Sequence, residues 1–405
     1  MPPSITADFI RQTREIIRDQ IVTTPFLASR TLSEIAEMEV WVKFENLQFT
    51  ASFKDRGAAA KLQTLTVKQR KLGVVAMSAG NHAQGVALHA GRLGIPATIV
   101  MPKTAPYTKV IQTEALGATV IQAGDSVSDG QAFADELQSR DGLTFVHPFD
   151  DPYVVAGQGS VALEMLEQTQ GSDTVIVPIG GGGLISGISI ALHDVDPSIE
   201  VLGVQSEQFN AVARVMDGQV NELPHGHTLA DGIAVKRPGA LTTPIIKEHV
   251  SKVLTVDESA IERAINLYLE VEKTVAEGAG AASLAALLQH RDEFKGDRVA
   301  LILSGGNIDP RLLASVITRG LVHSGRLTRL RIEADDVPGS LALVTSVISE
   351  AGANIVDVNH QRLLPELAVR RVDIDVLVET RGSHHTSQLI ELLEHNTLKV
   401  SIRSE

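Results

Sequence analysis

The stretch GVVAMSAGNHAQGVALHAGRLGIPATIVMP (73–102) sets a short apolar run, a helical pattern and a second apolar run in immediate succession. GVVAMS reads as a buried strand, NHAQGVALHAGRLG as a helix that stops at glycine, and PATIVMP as the next strand. The cycle then repeats in YTKVIQTEALG and ATVIQAG, and again in TVIVPI, GLISGISIALHDV and VLGVQSE. Strands separated by helices of this length require parallel crossovers. The pattern therefore predicts an α/β fold of open, twisted, mainly parallel sheets with helices on both faces. Ligands of such sheets bind at the carboxyl ends of the strands, so loops that follow strands directly are where chemistry is expected.

After RGLVHSGRLTR the rhythm changes to strand LRIEADD, helix PGSLALVTSVISEAG, strand NIVDVNHQRL, strand LAVRRVDIDVLVET, helix SQLIELLEHN and strand LKVSIR. This is the ferredoxin-like order of an α+β domain. The reading places a boundary near Ser324: 1–323 as a region of two α/β lobes, the smaller roughly 45–150, and 324–405 as a separate domain. The length of 405 residues suits two or three domains at roughly 150 each.

Charged residues at 21% and apolar ones at 43% describe a globular chain. A net charge of −13 and only 3% aromatics supply neither a basic footprint nor stacking platforms, which excludes nucleic acid as the main partner. No cysteine is present, so disulfides, thiolate metal sites and a cysteine nucleophile are excluded together. The N-terminal stretch mixes charged and apolar residues at helical spacing, and no run of about 18 apolar residues occurs anywhere. A cytoplasmic protein with no membrane partner is expected.

Three strand-to-helix loops carry candidate chemistry. In IGGGGLISG, Gly180 to Gly183 lack Cβ atoms, so several N–H groups can converge on one anion at a helix N-terminus. No Lys-Ser or Lys-Thr pair follows, and Ile185 stands where a dinucleotide fingerprint needs its third glycine; the loop reads as a phosphate cradle of another kind. SAGNHAQG (78–85) brings Ser78 and Asn81 to a helix start that can meet an anion such as a carboxylate, although by itself it reads rather as Asn81 capping the helix with His82 in solvent. Ser304 ends the apolar run of LILSGGNID, where a hydroxyl is also an ordinary turn residue.

Lys54, in TASFKDRGA (50–58), is an amine in a stretch of mostly small residues. A solvated lysine is uncharged in only about one molecule in a few thousand at neutral pH, and bringing its pKa to about 7.5 costs near 4 kcal/mol, which burial can supply. Without burial it is a surface lysine beside Asp55 and Arg56.

ENLQFTASFKDRGA, SAGNHAQG, PIGGGGLISG, TLADGIAV, TVAEGAGAAS and SGGNID, in this order, resemble the threonine dehydratases (threonine ammonia-lyases), fold-type-II enzymes that use pyridoxal 5'-phosphate (PLP). The resemblance spans essentially residues 1–320, and the stretch DDVPGSLALVTSVISEAGANIVDVNHQR is similar to an ACT domain, a module that senses free amino acids. The resemblance implies that Lys54 forms the Schiff base with PLP. It also implies that Gly180, Gly181, Gly182, Gly183 and Leu184 hold the phosphate, that Asn81 meets the ring hydroxyl and that Ser304 faces the pyridine nitrogen. Phe53 would pack against the ring, Gly232 would lie close to it, and Ser78, Asn81 and His82 would sit near the substrate carboxylate. The implied reaction is β-elimination: Lys54 takes the α-proton, the β-hydroxyl leaves with a proton from the cofactor phosphate, and hydrolysis gives a 2-oxo acid and ammonia. A neutral serine at the pyridine nitrogen disfavours transamination.

Some positions depart from the pattern. Asp55 gives SFKDRG, the form of the threonine synthases. Ala79 stands where the related serine racemases carry a second serine that acts as the opposite-face base, so little racemase activity is expected. Glu207 matches one ligand of the racemases' divalent cation, but Ala213 stands where the second carboxylate belongs, so no metal is expected. His225, His227, His384 and His385 read as loop residues. In the ACT-like tail, Val337 to Leu341, with Gly339, Ser340 and Leu341, and Asn354 are where an amino-acid effector would bind. Threonine is the expected substrate, with serine as well. The alternatives are 3-hydroxyaspartate elimination, threonine synthesis, and a silent amino-acid sensor. The family implies a homodimer or homotetramer.

Overall fold

Hydrogen bonding between parallel strands shapes the first three quarters of the chain. The computed structural model describes residues 3–169, 171–219, 226–294, 298–361 and 370–403. Two strands, β1 (Phe26–Ala28) and β2 (Glu39–Phe44), precede the Lys54 segment. Next come β3 (Val74–Met77), β4 (Ala97–Met101), β5 (Thr119–Gln122) and β6 (Thr144–Phe145), which form a wholly parallel sheet in the order β5-β4-β3-β6. The chain then builds β7 (Thr174–Pro178), β8 (Glu200–Ser206), β9 (Lys252–Val256) and β10 (Arg298–Leu303). These join the first two strands in a second sheet of order β1-β2-β10-β7-β8-β9, parallel except for β1 on β2.

The uniform apolar runs are explained by burial on both faces. Val74, Val75 and Ala76 of β3, and Val175, Ile176 and Val177 of β7, have no exposed surface. In the small lobe, Ala83, Val86, Ala87 and Ala90 of the helix Asn81–Arg92 pack on Val74, Ala76 and Ile99. In the large lobe, Ile185 and Ile188 of the helix Gly183–Val195 share a core with Val175, Val177, Ala300 and Ile302.

Residues divide into two compact units, Met1–Ile308 and Asp309–Glu405, so the helix Pro310–His323 groups with the tail. The second unit carries β11 (Leu327–Asp335), β12 (Asn354–Gln361), β13 (Arg371–Glu379) and β14 (Lys399–Ile402), antiparallel in the order β12-β13-β11-β14. Val344 and Ile348 of the helix Ser340–Glu350 and Leu389 and Leu393 of the helix Ser383–His395 pack on Ile332, Ile374 and Val376. Arg331 forks onto Asp375 at 2.7 and 2.6 Å.

Candidate active site

Strands β2, β10 and β7 are parallel neighbours, so the loops at their carboxyl ends converge. The β2 loop leads to Lys54, first residue of the helix Lys54–Gln63. Asp55 is fully buried and closes the loop by accepting Thr50 N–H at 2.8 Å and Thr50 Oγ1–H at 2.6 Å. The residue that suggests threonine synthases is thus bonded to its own loop. Phe53 N–H donates to the Ser304 carbonyl at 3.1 Å, and Ser52 bridges Gly305, which brings Lys54 and Ser304 to one place. Behind them, Arg56 is buried between Glu45 and Glu164, with four contacts of 2.7 to 2.8 Å, and Lys43 donates to Glu164 at 2.7 Å. Two cations against two carboxylates pin the Lys54 helix to β2 and the helix Pro152–Gln168.

The Lys54 amine donates to the Pro148 carbonyl at 2.8 Å and lies 4.9 Å from the centre of the Phe53 ring. Burial brings its pKa down to about 8, against the opposing pull of the Glu277 carboxylate. This is the direction that an amine needs to act at neutral pH.

The β7 loop is the four-glycine turn. Gly182 has φ +96°, a conformation that favours glycine. A Cβ on Gly181 would enter the Phe149 ring, and one on Gly182 would stand 2.7 Å from Ile246 and 2.8 Å from the Thr242 hydroxyl. Ser186 N–H reaches Gly182 O at 3.0 Å, but among the described residues no protein group accepts from the N–H groups of Gly181 to Leu184. Leu184 points into the large-lobe core, so it offers an anion only its backbone. Ser304 is 2% exposed as a residue, and its hydroxyl makes no hydrogen bond to protein among the described residues. Unpaired backbone donors, a desolvated amine and a partnerless hydroxyl fit a ligand that bears an anionic group, an aldehyde and a ring acceptor.

The β3 loop carries Ser78, whose hydroxyl accepts Gly80 N–H at 3.2 Å. Gly80, not Asn81, is the helix cap. Asn81 instead donates Nδ2–H to Glu277 at 2.6 Å and accepts from Asn307 Nδ2 at 2.8 Å. His82 is not solvated: it is 3% exposed, and its Nε2 sits 2.8 Å from the Val146 carbonyl, which puts the proton on Nε2. Burial and the Lys54 charge pull His82 down to about 3, so the ring is neutral and brings no cation to a carboxylate.

Glu277, Asn307 and the segment 147–150 join the site only through the fold, beyond the residues that the sequence singles out. Glu277 stands immediately before the helix Gly278–Gln289; burial and Asp231 raise its pKa to about 7, while the Asn81 bond opposes them. Its signal was present as one carboxylate ahead of the small-residue run GAGAAS. A Cβ on Gly232 would lie 3.5 Å from its carboxylate and 3.0 Å from Ala279.

Among the described residues no group of three or more potential metal ligands gathers. Glu207 is exposed and Ala213 is buried. His225 lies outside the described residues, and His227 lies in irregular chain. His384 and His385 are not loop residues but begin the helix Ser383–His395, with His385 Nε2 2.7 Å from the Ala351 carbonyl. In the second unit, Gly339 (φ +101°) precedes the helix Ser340–Glu350, the Ser340 hydroxyl donates to Asp335 O at 2.6 Å, Leu341 is half-buried, and Asn354 opens β12 opposite Glu379.

Residues 17–305 match the family model described as pyridoxal-phosphate dependent enzyme, and residues 324–397 match the ACT domain. The chain is 43% identical over 390 residues to the L-threonine ammonia-lyase of Thermotoga maritima, which covers 96% of this chain and 97% of that protein. The fold is similar to maize serine racemase, with TM-score 0.74, 34% identity, and 79% and 99% of the two chains covered. It is also similar to the processed form of threonine deaminase isoform 2 from Solanum lycopersicum, with TM-score 0.72, 32% identity, and 78% and 90% covered. A family match of this extent, over the same segment that gathers Lys54, the glycine turn and Ser304, means that the chain belongs to the pyridoxal-phosphate dependent enzymes and carries a C-terminal ACT domain.

Proposed function

We propose that this protein is a PLP-dependent threonine ammonia-lyase that converts L-threonine to 2-oxobutanoate and ammonia, and L-serine to pyruvate and ammonia, under the control of an amino acid bound at the ACT domain. The observation that carries the reading is the Lys54 amine, brought down to about 8 and held at the Pro148 carbonyl beside the four-glycine turn and the Ser304 hydroxyl. Likeness to a threonine ammonia-lyase along 96% of the chain supports the same substrate.

Bound PLP supplies an aldehyde that captures the amino group and a ring that draws electron density from the α-carbon. Lys54 is the cofactor-linking residue and the base. With its pKa near neutrality, Nζ takes the α-proton once free, and the Pro148 carbonyl is placed to accept a hydrogen bond from the ammonium that results. The N–H groups of Gly180 to Leu184 hold the phosphate, as a helix start suits an anion. Ser304 offers the ring nitrogen a neutral hydroxyl, Phe53 and Gly232 flank the ring, and Asn81 meets the ring hydroxyl with its amide fixed by Glu277 and Asn307. The N–H groups at the start of the helix Asn81–Arg92, which have no protein acceptor among the described residues, receive the substrate carboxylate together with Ser78. His82, neutral, shapes that corner without adding charge. Ala79 has no group that can accept or donate a proton, which supports elimination over racemisation. At the ACT domain the turn at Gly339, Ser340 and Leu341, with Asn354, is the effector site. The enzyme works as a cytoplasmic homo-oligomer; among the described residues no helix is long and apolar enough to cross a membrane.

Ammonia release from L-threonine, L-serine and 3-hydroxyaspartate tests the reading. Turnover of the first two, lost in Lys54→Ala, is expected. Inertness towards both would overturn it, and binding of amino acids by calorimetry without turnover would mark a sensor instead.

A further inference from the structure

Residues 147–151 join the two ends of the site. The Pro148 carbonyl takes the Lys54 amine, and a Cβ on Gly181 would enter the ring of its chain neighbour Phe149, while one on Gly183 would stand 3.1 Å from Phe149. The next residue, Asp150, accepts the N–H groups of Ala240 and Leu241 at 3.0 and 2.9 Å, which seats the start of the helix Thr242–His249. From there Thr242, fully buried, donates its Oγ1–H to the Gly181 carbonyl at 2.6 Å, and Gly239 N–H adds a longer bond of 3.3 Å.

This matters because a peptide unit is planar and trans: a Gly181 carbonyl held one way turns the Gly182 N–H the other way. With glycine on both sides, the chain itself imposes little preference on that plane. The Gly182 N–H has no protein acceptor among the described residues, so its direction is free for a ligand.

We propose that Thr242, seated by Asp150, is a positioning residue for the anion-binding turn: its hydroxyl fixes the Gly181 carbonyl and so aims the Gly182 N–H at the cofactor phosphate. The proposal rests on the reading of the glycine turn as the phosphate cradle.

Cofactor-free protein titrated with PLP and with pyridoxal, the same aldehyde without phosphate, separates the possibilities. Wild type is expected to prefer PLP. Thr242→Val keeps the side-chain shape, and it should weaken PLP binding about tenfold or more, as loss of an aligned donor to a charged group does. Pyridoxal binding should change by less than about twofold, within the range of a neutral contact, and Thr242→Ser should restore PLP affinity. If Thr242→Val yields no folded protein by circular dichroism, Asp150→Ala carries the same expectation. Equal weakening of both aldehydes, or of neither, overturns the proposal. A wild type that binds both alike overturns the cradle reading and the proposal with it.

Discussion

Asn81 of the small lobe donates to Glu277 of the large lobe at 2.6 Å, a half-buried bond that spans the two lobes of the catalytic unit. Its acceptor is a carboxylate that burial and Asp231 hold at a pKa of about 7, against an ordinary value of 4.5. The small lobe thus meets the large one through a group that exchanges its proton near neutral pH.

The sign of the effect on stability follows from linkage. A carboxylate raised in the folded state contributes stability that is fully present below its unfolded pKa and is lost as pH rises through the folded one. Glu277→Gln keeps the acceptor and does not titrate. Cofactor-free Glu277→Gln should therefore gain on wild type between about pH 5 and pH 8, by up to about 3 kcal/mol. Chemical denaturation at the two pH values checks this, and a gap that stays constant with pH contradicts it.

Lys54 gives a kinetic counterpart. Only the uncharged amine attacks an aldehyde, and its share grows about tenfold per pH unit below the pKa. Stopped-flow absorbance should show PLP capture by cofactor-free protein accelerating up to about pH 8 and levelling above it, as the lowered pKa of about 8 requires. A rate still climbing steeply beyond about pH 10, the range of a solvated lysine, speaks against desolvation.

Arg56 faces Glu45 and Glu164 with both carboxylates buried. Arg56→Met leaves Lys43 alone against two charges. The expected loss is about 3–5 kcal/mol, read as a lower urea midpoint. A midpoint shift that corresponds to a loss of less than about 1 kcal/mol would mean that the cluster does not hold the Lys54 helix.

Gly181 touches the Phe149 ring where a Cβ would go. Gly181→Ala should lower PLP affinity and cost about 1–3 kcal/mol of stability through overpacking. Phe149→Ala added to it should return part of the affinity. Failure of the second change to relieve the first would separate the turn from the 147–150 segment.

The buried strands were legible because both faces of a parallel sheet exclude water, which leaves unbroken runs such as Val74–Met77 and Thr174–Pro178. The same holds for the glycine turn, whose backbone freedom is written in consecutive residues. His82 misled because its carbonyl partner, Val146, lies 64 residues away, and nothing in SAGNHAQG reports that contact. Glu277, Asn307 and Thr242 act through residues on other strands' loops, so their parts appear only when those loops converge. The boundary read near Ser324 rests on the change of rhythm after RGLVHSGRLTR, whereas the helix Pro310–His323 groups with the second compact unit.

One covalent mark tests the account most directly. Borohydride reduction of the PLP-loaded protein, followed by peptide mapping, should place the reduced cofactor on Lys54 alone, and Lys54→Ala should take up none and release no ammonia from threonine. A label on another lysine, or full turnover by Lys54→Ala, would contradict the assignment from which the rest follows.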